Sequence, residues 1–227
     1  MKSLDELPLD HCVFELRYNP AYLLWDRVGS IWSAMIAAHP SLKATTIQAN
    51  QQIFETESLK LSLDISALRV SGRGPQAVDE VLKNGNSLTK LLCEKVRIDS
   101  FKRAGFRMIR LKAFDTPAEA MKFAGISNGG LATLGEKNWK VGFVNSVRYE
   151  NDNAGFQTAL RVEERELNFQ APWESLPFLP FKRELKDYVV VLDSDYFTIG
   201  IVEQESFDPE TWVRQALKTI ETHWSIF

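Results

Sequence analysis

Three times the chain places a helix-capping side chain directly before a proline, at Asn19-Pro20, Thr116-Pro117 and Asp208-Pro209, and each pair precedes apolar residues at helical spacing. An N-cap oxygen accepts an orphan backbone N–H, and proline suits the first helical position because the N–H it lacks would have no partner there. The pairs therefore set three helix starts. After Asn19-Pro20, residues Leu24, Val28, Ile31, Trp32, Met35 and Ile36 form one apolar stripe that runs to His39-Pro40. After Thr116-Pro117, Glu119 completes the spacing of a capping box and Gly125 ends a short helix. After Asp208-Pro209, the stripe is Val213, Ala216, Leu217, Ile220 and Trp224.

The intervening chain reads mostly as strand. Residues 12–18, 45–49, 52–56, 59–65 and 67–71 alternate apolar with polar side chains, and Leu59, Leu61, Leu63 and Ile65 give the cleanest alternation. A helix follows from Val78 to Val96, with an interruption or kink expected at Asn84-Gly85-Asn86. Strand composition returns at 101–114, 141–149, 156–169, 188–192 and 197–202. The expected fold is thus α+β, with the order β-α-β-β-β-α in residues 1–100 and again in residues 101–227. We expect two pseudo-repeated halves packed as one compact unit. That order resembles the TATA-binding-protein-like class, which implies an antiparallel sheet with helices on one face. The other face would then be free to receive a partner or ligand.

Composition narrows the function classes. A chain of 227 residues, 44% apolar and 25% charged, can bury a sizeable core without staples. Its net charge of −3 provides no global field for polyanions, so nucleic acid is an unlikely partner. No apolar run approaches the ~20 residues of a membrane span, and the first ten residues lack the basic start of a signal peptide. Cys12 and Cys93 stand apart from any metal or redox motif and are expected as free, buried thiols. These features point to a cytoplasmic protein.

Two segments carry a resemblance: Val13-Phe14-Glu15-Leu16-Arg17-Tyr18, and Phe101 to Arg110 with the sequence FKRAGFRMIR. They resemble the N-terminal and mid-chain signatures of a sporadically distributed prokaryotic family of similar length and undefined function. Phe106, Met108 and Arg110 stand where that family's mid-chain signature has leucine, tyrosine and asparagine. The resemblance implies a two-part α+β architecture and a bacterial origin, and no catalytic residue.

Several groups of residues are candidates for function. Asp193-Ser194-Asp195, read at a strand end, offers two carboxylates to a hard cation, but no third acid or phosphate loop accompanies them and a polar turn explains them as well. In the basic run, Arg103 and Arg107 fall on one face of a strand, whereas Lys102, Arg110 and Lys112 fall on the other. Pairing with nearby acids is the simplest reading of that run, and an anion contact at Arg107 and Arg110 is the functional one. The segment holding Phe169, Trp173, Phe178 and Phe181, interleaved with prolines, cannot join a central strand and should press over an apolar surface. Trp173, Phe178 and Phe181 are accordingly candidates for binding. Ser71 to Pro75 and Ser127 to Gly130 lack phosphate-loop spacing, and His11, His39 and His223 are isolated.

The expectation is a non-catalytic binding or accessory protein that needs no cofactor, with a protein partner, a small ligand or a second copy as its counterpart. An enzyme whose site gathers Asp193, Asp195 and Arg107 only in three dimensions is the alternative. A nucleic-acid-binding module using the curved sheet is the third class.

Overall fold

A computed structural model describes residues 6–126, 143–169 and 183–223. The strands are β1 (Leu9–Arg17), β2 (Lys43–Gln48), β3 (Gln51–Glu55), β4 (Leu59–Asp64), β5 (Ala67–Arg73), β6 (Ser100–Phe101), β7 (Arg103–Phe114), β8 (Phe143–Glu150), β9 (Ala154–Phe169), β10 (Arg183–Thr198) and β11 (Val202–Glu203). The helices are α1 (Leu23–Asp26), α2 (Val28–Ala38), α3 (Ala77–Val96), α4 (Pro117–Phe123) and α5 (Pro209–His223). Nine strands form one antiparallel sheet in the order β2-β3-β4-β5-β1-β7-β10-β9-β8, and β11 pairs with β6 separately.

Alternation along the strands sends one set of side chains under the helices. Cys12, Phe14 and Leu16 of β1 join Ala104, Phe106 and Met108 of β7 and Tyr196 of β10 in a core closed by Ile31, Met35, Val81, Leu88, Val213, Ala216 and Ile220 from α2, α3 and α5. Farther along the same face, Leu160, Val162, Val190 and Leu192 pack under Ala120 and Met121 of α4. Among the described residues all five helices therefore lie on one side of the sheet. No described helix is long and apolar enough to cross a membrane.

Two of the three expected caps form. The Thr116 hydroxyl accepts the Glu119 N–H at 3.3 Å, and an Asp208 carboxylate oxygen accepts the Thr211 N–H at 3.3 Å. The Glu119 carboxylate accepts from the Thr116 hydroxyl, at 3.0 Å. Gly125 follows α4 with φ at +77°, a conformation that favours glycine. Asn19-Pro20 behaves differently. Helix α1 starts at Leu23 behind Tyr22, with no side-chain cap, because the Ala21 N–H donates to the Ile65 carbonyl at 2.7 Å and holds the chain in a turn against the β4–β5 connection.

The expected kink at Asn84-Gly85-Asn86 is likewise absent, and α3 is one helix of 20 residues. Gly85 is buried against the Phe14 ring, where an added Cβ would stand at an ordinary contact distance of 3.5 Å, so the helix passes through this glycine without a break. The strand expected at 188–192 continues without a break to Thr198 as β10, so Asp193-Ser194-Asp195 lies within a strand instead of turning, and of the strand expected at 197–202 only Phe197 and Thr198 belong to it while Val202 opens β11. Ser194 points into the core, its hydroxyl 2.9 Å from that of Thr158, while both aspartates face the other side.

Candidate site on the sheet face opposite the helices

The register sets side chains of the face away from the helices into cross-strand rows. One row reads Ser62, Arg69, Glu15, Gly105, Phe197, Gly155 and Glu150 across β4, β5, β1, β7, β10, β9 and β8. The adjacent row reads Lys60, Ser71, Val13, Arg107, Asp195, Gln157 and Arg148. Period-two alternation alone puts these residues on one side, so their chemistry is assembled by strand pairing from segments far apart in sequence.

Glu15 is the hub. Its carboxylate accepts from Arg17 at 2.6 Å, from Arg69 at 2.7 Å and from Arg103 at 3.1 Å. Arg69 also donates to Asp64 at 3.0 Å, and Arg103 to Asp195 at 2.7 Å, so an unbroken chain of ion pairs runs from β4 to β10. Asp193 forms a second cluster, accepting twice from Arg107 at 2.7 and 2.5 Å and from Arg161 at 3.3 Å. Charge-assisted, two-pronged contacts of this kind fix guanidinium planes as well as positions.

Glycine makes this layout possible. Arg103 lies along its own strand with its guanidinium over Gly105, where an added Cβ would stand 2.6 Å from a guanidinium nitrogen. That space lets one arginine reach acids on both neighbouring strands. Phe197 lies over Gly155 in the same manner, between the guanidinium of Arg103 at 5.0 Å and that of Arg148 at 5.4 Å from the ring centre. The face is not uniformly solvated, since Val189 and Val191, which share it, are buried.

Electrostatics follow from these contacts. Burial pushes Glu15 upward, but the hydrogen bonds and charges of Arg17 and Arg69 outweigh it and hold the carboxyl below the usual range. For Asp195 burial wins, and its pKa is raised despite Arg103 and Arg107. The hydrogen bonds to Asp193 hold Arg107 protonated. Elsewhere, burial pushes the Cys12 and Cys93 thiols up to about 12, which disfavours the thiolate a nucleophile requires. His11 hydrogen-bonds Asp10 at 2.7 Å and lies on the face opposite Cys12.

A scan against protein-family models finds no match for this chain, and a search of curated proteins finds no relative.

The structure brings Arg107, Asp193 and Asp195 together and leaves Arg110 apart. Arg110 points to the helix side, where it donates to the Leu7 carbonyl at 3.0 Å. Trp173, Phe178 and Phe181, and the segment from Ser127 to Gly130, lie outside the described residues. Among the described residues no group of three His, Cys, Asp or Glu side chains is arranged to hold a metal ion. Sequence reasoning missed Glu15, Arg69, Arg103, Arg148, Arg161 and Phe197 as members of one surface. The one signal for them was alternation within each strand; the register that aligns the strands is not written in any single segment.

Proposed function

We propose that the protein is a non-catalytic binding or accessory protein whose counterpart is another protein, received on the sheet face opposite the helices. One observation carries this reading: Arg103 clamped between Glu15 and Asp195 beside Phe197, at the centre of the sheet. An arginine on a merely solvated strand keeps its rotamer freedom. Here that freedom is already spent, which lowers the ordering cost of a later association. Each cation of the network is matched to an acid, so the surface is a mosaic of both signs around an aromatic. A mosaic suits the mixed surface of a protein and not the uniform charge of a nucleic-acid backbone. Carboxylates committed to guanidiniums are also poorly suited to proton transfer, which favours binding over the alternative of an enzyme using Asp193, Asp195 and Arg107.

We read the molecule as a structural duplication with a TATA-binding-protein-like order, in a bacterial cytoplasmic protein of the prokaryotic family it resembles. Supporting the duplication, β5, β4 and β3 follow outward from β1 as β10, β9 and β8 follow outward from β7, although the first half adds a further edge strand, β2, so four strands and not the expected three lie between α2 and α3. Photo-crosslinking tests the proposed surface. A crosslinker attached at Arg148→Cys should capture a protein of defined mass from the source organism's lysate, while one at Lys218→Cys on the outer side of α5 should not. Equal capture at both positions, or none at the sheet face, would overturn the proposal.

A further inference from the structure

Five polar side chains are buried among the described residues, and four of them have partners. The Thr158 and Ser194 hydroxyls lie 2.9 Å apart, Thr198 accepts the Ala104 N–H at 2.9 Å, and Thr89 donates to the Gly85 carbonyl at 2.7 Å. Gln52 of β3 is the exception. It is 0% exposed, and neither its amide oxygen nor its amide nitrogen has a hydrogen-bond partner among the described residues. Register sets it on the helix side of the sheet, in a row with Ile47, Leu63, Leu68 and Leu16, and α2 packs on the neighbouring strand β2. A buried amide without a partner has given up its hydration for nothing, so a state that readmits water to it is favoured to that extent.

The elements above this end of the sheet are lightly held. Across residues 23–38, which comprise α1, Arg27 and α2, the buried side chains are Leu24, Ile31 and Met35 alone. Neither helix has a side-chain cap at its N-terminus. Arg27 donates to the Lys95 carbonyl of α3, and at the far end the His39 ring lies 3.3 Å from the Ser87 hydroxyl. Few buried side chains and uncapped ends put a segment at the low-stability end of a fold. We infer that α1 and α2 form a hatch: residues 23–38 lift from β2 and β3 as one unit while α3, α5 and the rest of the sheet stay folded, and the orphaned amide of Gln52 is what loosens it. Lifting hydrates the amide and uncovers Leu63 beside it, whereas reburial of Leu24, Ile31 and Met35 draws the unit back. Gln52 lies on the side of the sheet away from Glu15 and Arg103, so the hatch opens without breaking the ion-pair network.

Native-state hydrogen exchange on the full chain, read peptide by peptide by mass spectrometry at low urea, tests this. In the unaltered protein the amides of α2 should exchange about tenfold or more faster than those of α3 and α5, at a rate nearly independent of urea below the unfolding transition. Gln52→Leu should slow exchange in α2 by about tenfold, because an apolar side chain of similar size removes the unpaired amide from the closed state. Gln52→Met, unbranched and closer to glutamine in shape, should act in the same direction where leucine packs poorly. Gln51→Leu, one residue away on the opposite face, should leave the rate in α2 unchanged. Exchange in α2 no faster than in α3 and α5 overturns the inference, since α2 would then open only with the whole molecule. So does a rate in α2 that both Gln52 variants leave unchanged or raise, because the amide would not be what loosens the segment.

Discussion

Gly105 and Gly155 stand on one row of the sheet, but a methyl group would meet different neighbours at the two sites. At Gly105 the nearest atoms are the far end of Arg103, a flexible side chain. At Gly155 an added Cβ would stand 2.4 Å from the Phe197 ring, which two guanidiniums hold in place. Gly155→Ala should therefore cost about 1–3 kcal/mol in urea unfolding, and Gly105→Ala less. Glu15 provides a second test at this scale. Its folded pKa is depressed, so its contribution is complete above the unfolded value near 4.5 and is lost as pH falls through the lower folded value. Asp195 has the opposite sign: its pKa is raised above 3.8, so its share of stability declines as pH rises through that window. Glu15→Gln should cost about 1–3 kcal/mol at neutral pH, because three arginines lose their shared acceptor. It should also flatten the dependence of stability on pH between about pH 3 and about pH 6, read from urea midpoints. An unchanged slope would mean that Glu15 does not dominate the acid limb.

At the scale of elements, local signals were legible and partnered ones were not. Thr116-Pro117 and Asp208-Pro209 announce α4 and α5 because the cap, the proline and the bonded N–H lie within four residues of one another. Asn19-Pro20 carries the same letters, yet the bond that decides its turn comes from Ile65, far along the chain. Asp193-Ser194-Asp195 has the composition of a turn and lies within a strand for the same reason. The arginine that balances Asp193 is 86 residues away, and the Thr158 partner of Ser194 is 36 away. The strand meander from β2 to β5, by contrast, was readable to within two residues at each end, since alternation and short turns are local. Thr116→Ala and Asp208→Ala should each lower stability by about 1 kcal/mol, whereas Asn19→Ala should lie within a few tenths of zero. Thermal midpoints of the three variants check the ordering, and an Asn19→Ala loss as large as the other two would restore a cap that the geometry denies.

At the scale of the whole molecule, the sheet joins the two halves at its centre, where β1 pairs with β7 from Arg17↔Arg103 to Leu9↔Arg110. The core does not respect that boundary either. Trp212 of α5 packs on Phe14 of β1 and on Tyr196 of β10, and Phe101 packs on Phe207. Cutting between residues 100 and 101 would leave β1 with an open edge and strip α3 of α5, which packs beside it. An exposed edge that carries Phe14 and Leu16 on one side invites aggregation before it supports folding. Residues 1–100 and 101–227 expressed apart should consequently fail to give dispersed amide spectra, and co-expression should recover one folded complex. The intact chain should unfold in a single transition with fluorescence and circular dichroism coinciding. If residues 1–100 fold alone, Phe14 must find cover without Trp212, and the two-part organisation would be one of true domains instead of two halves sharing a core.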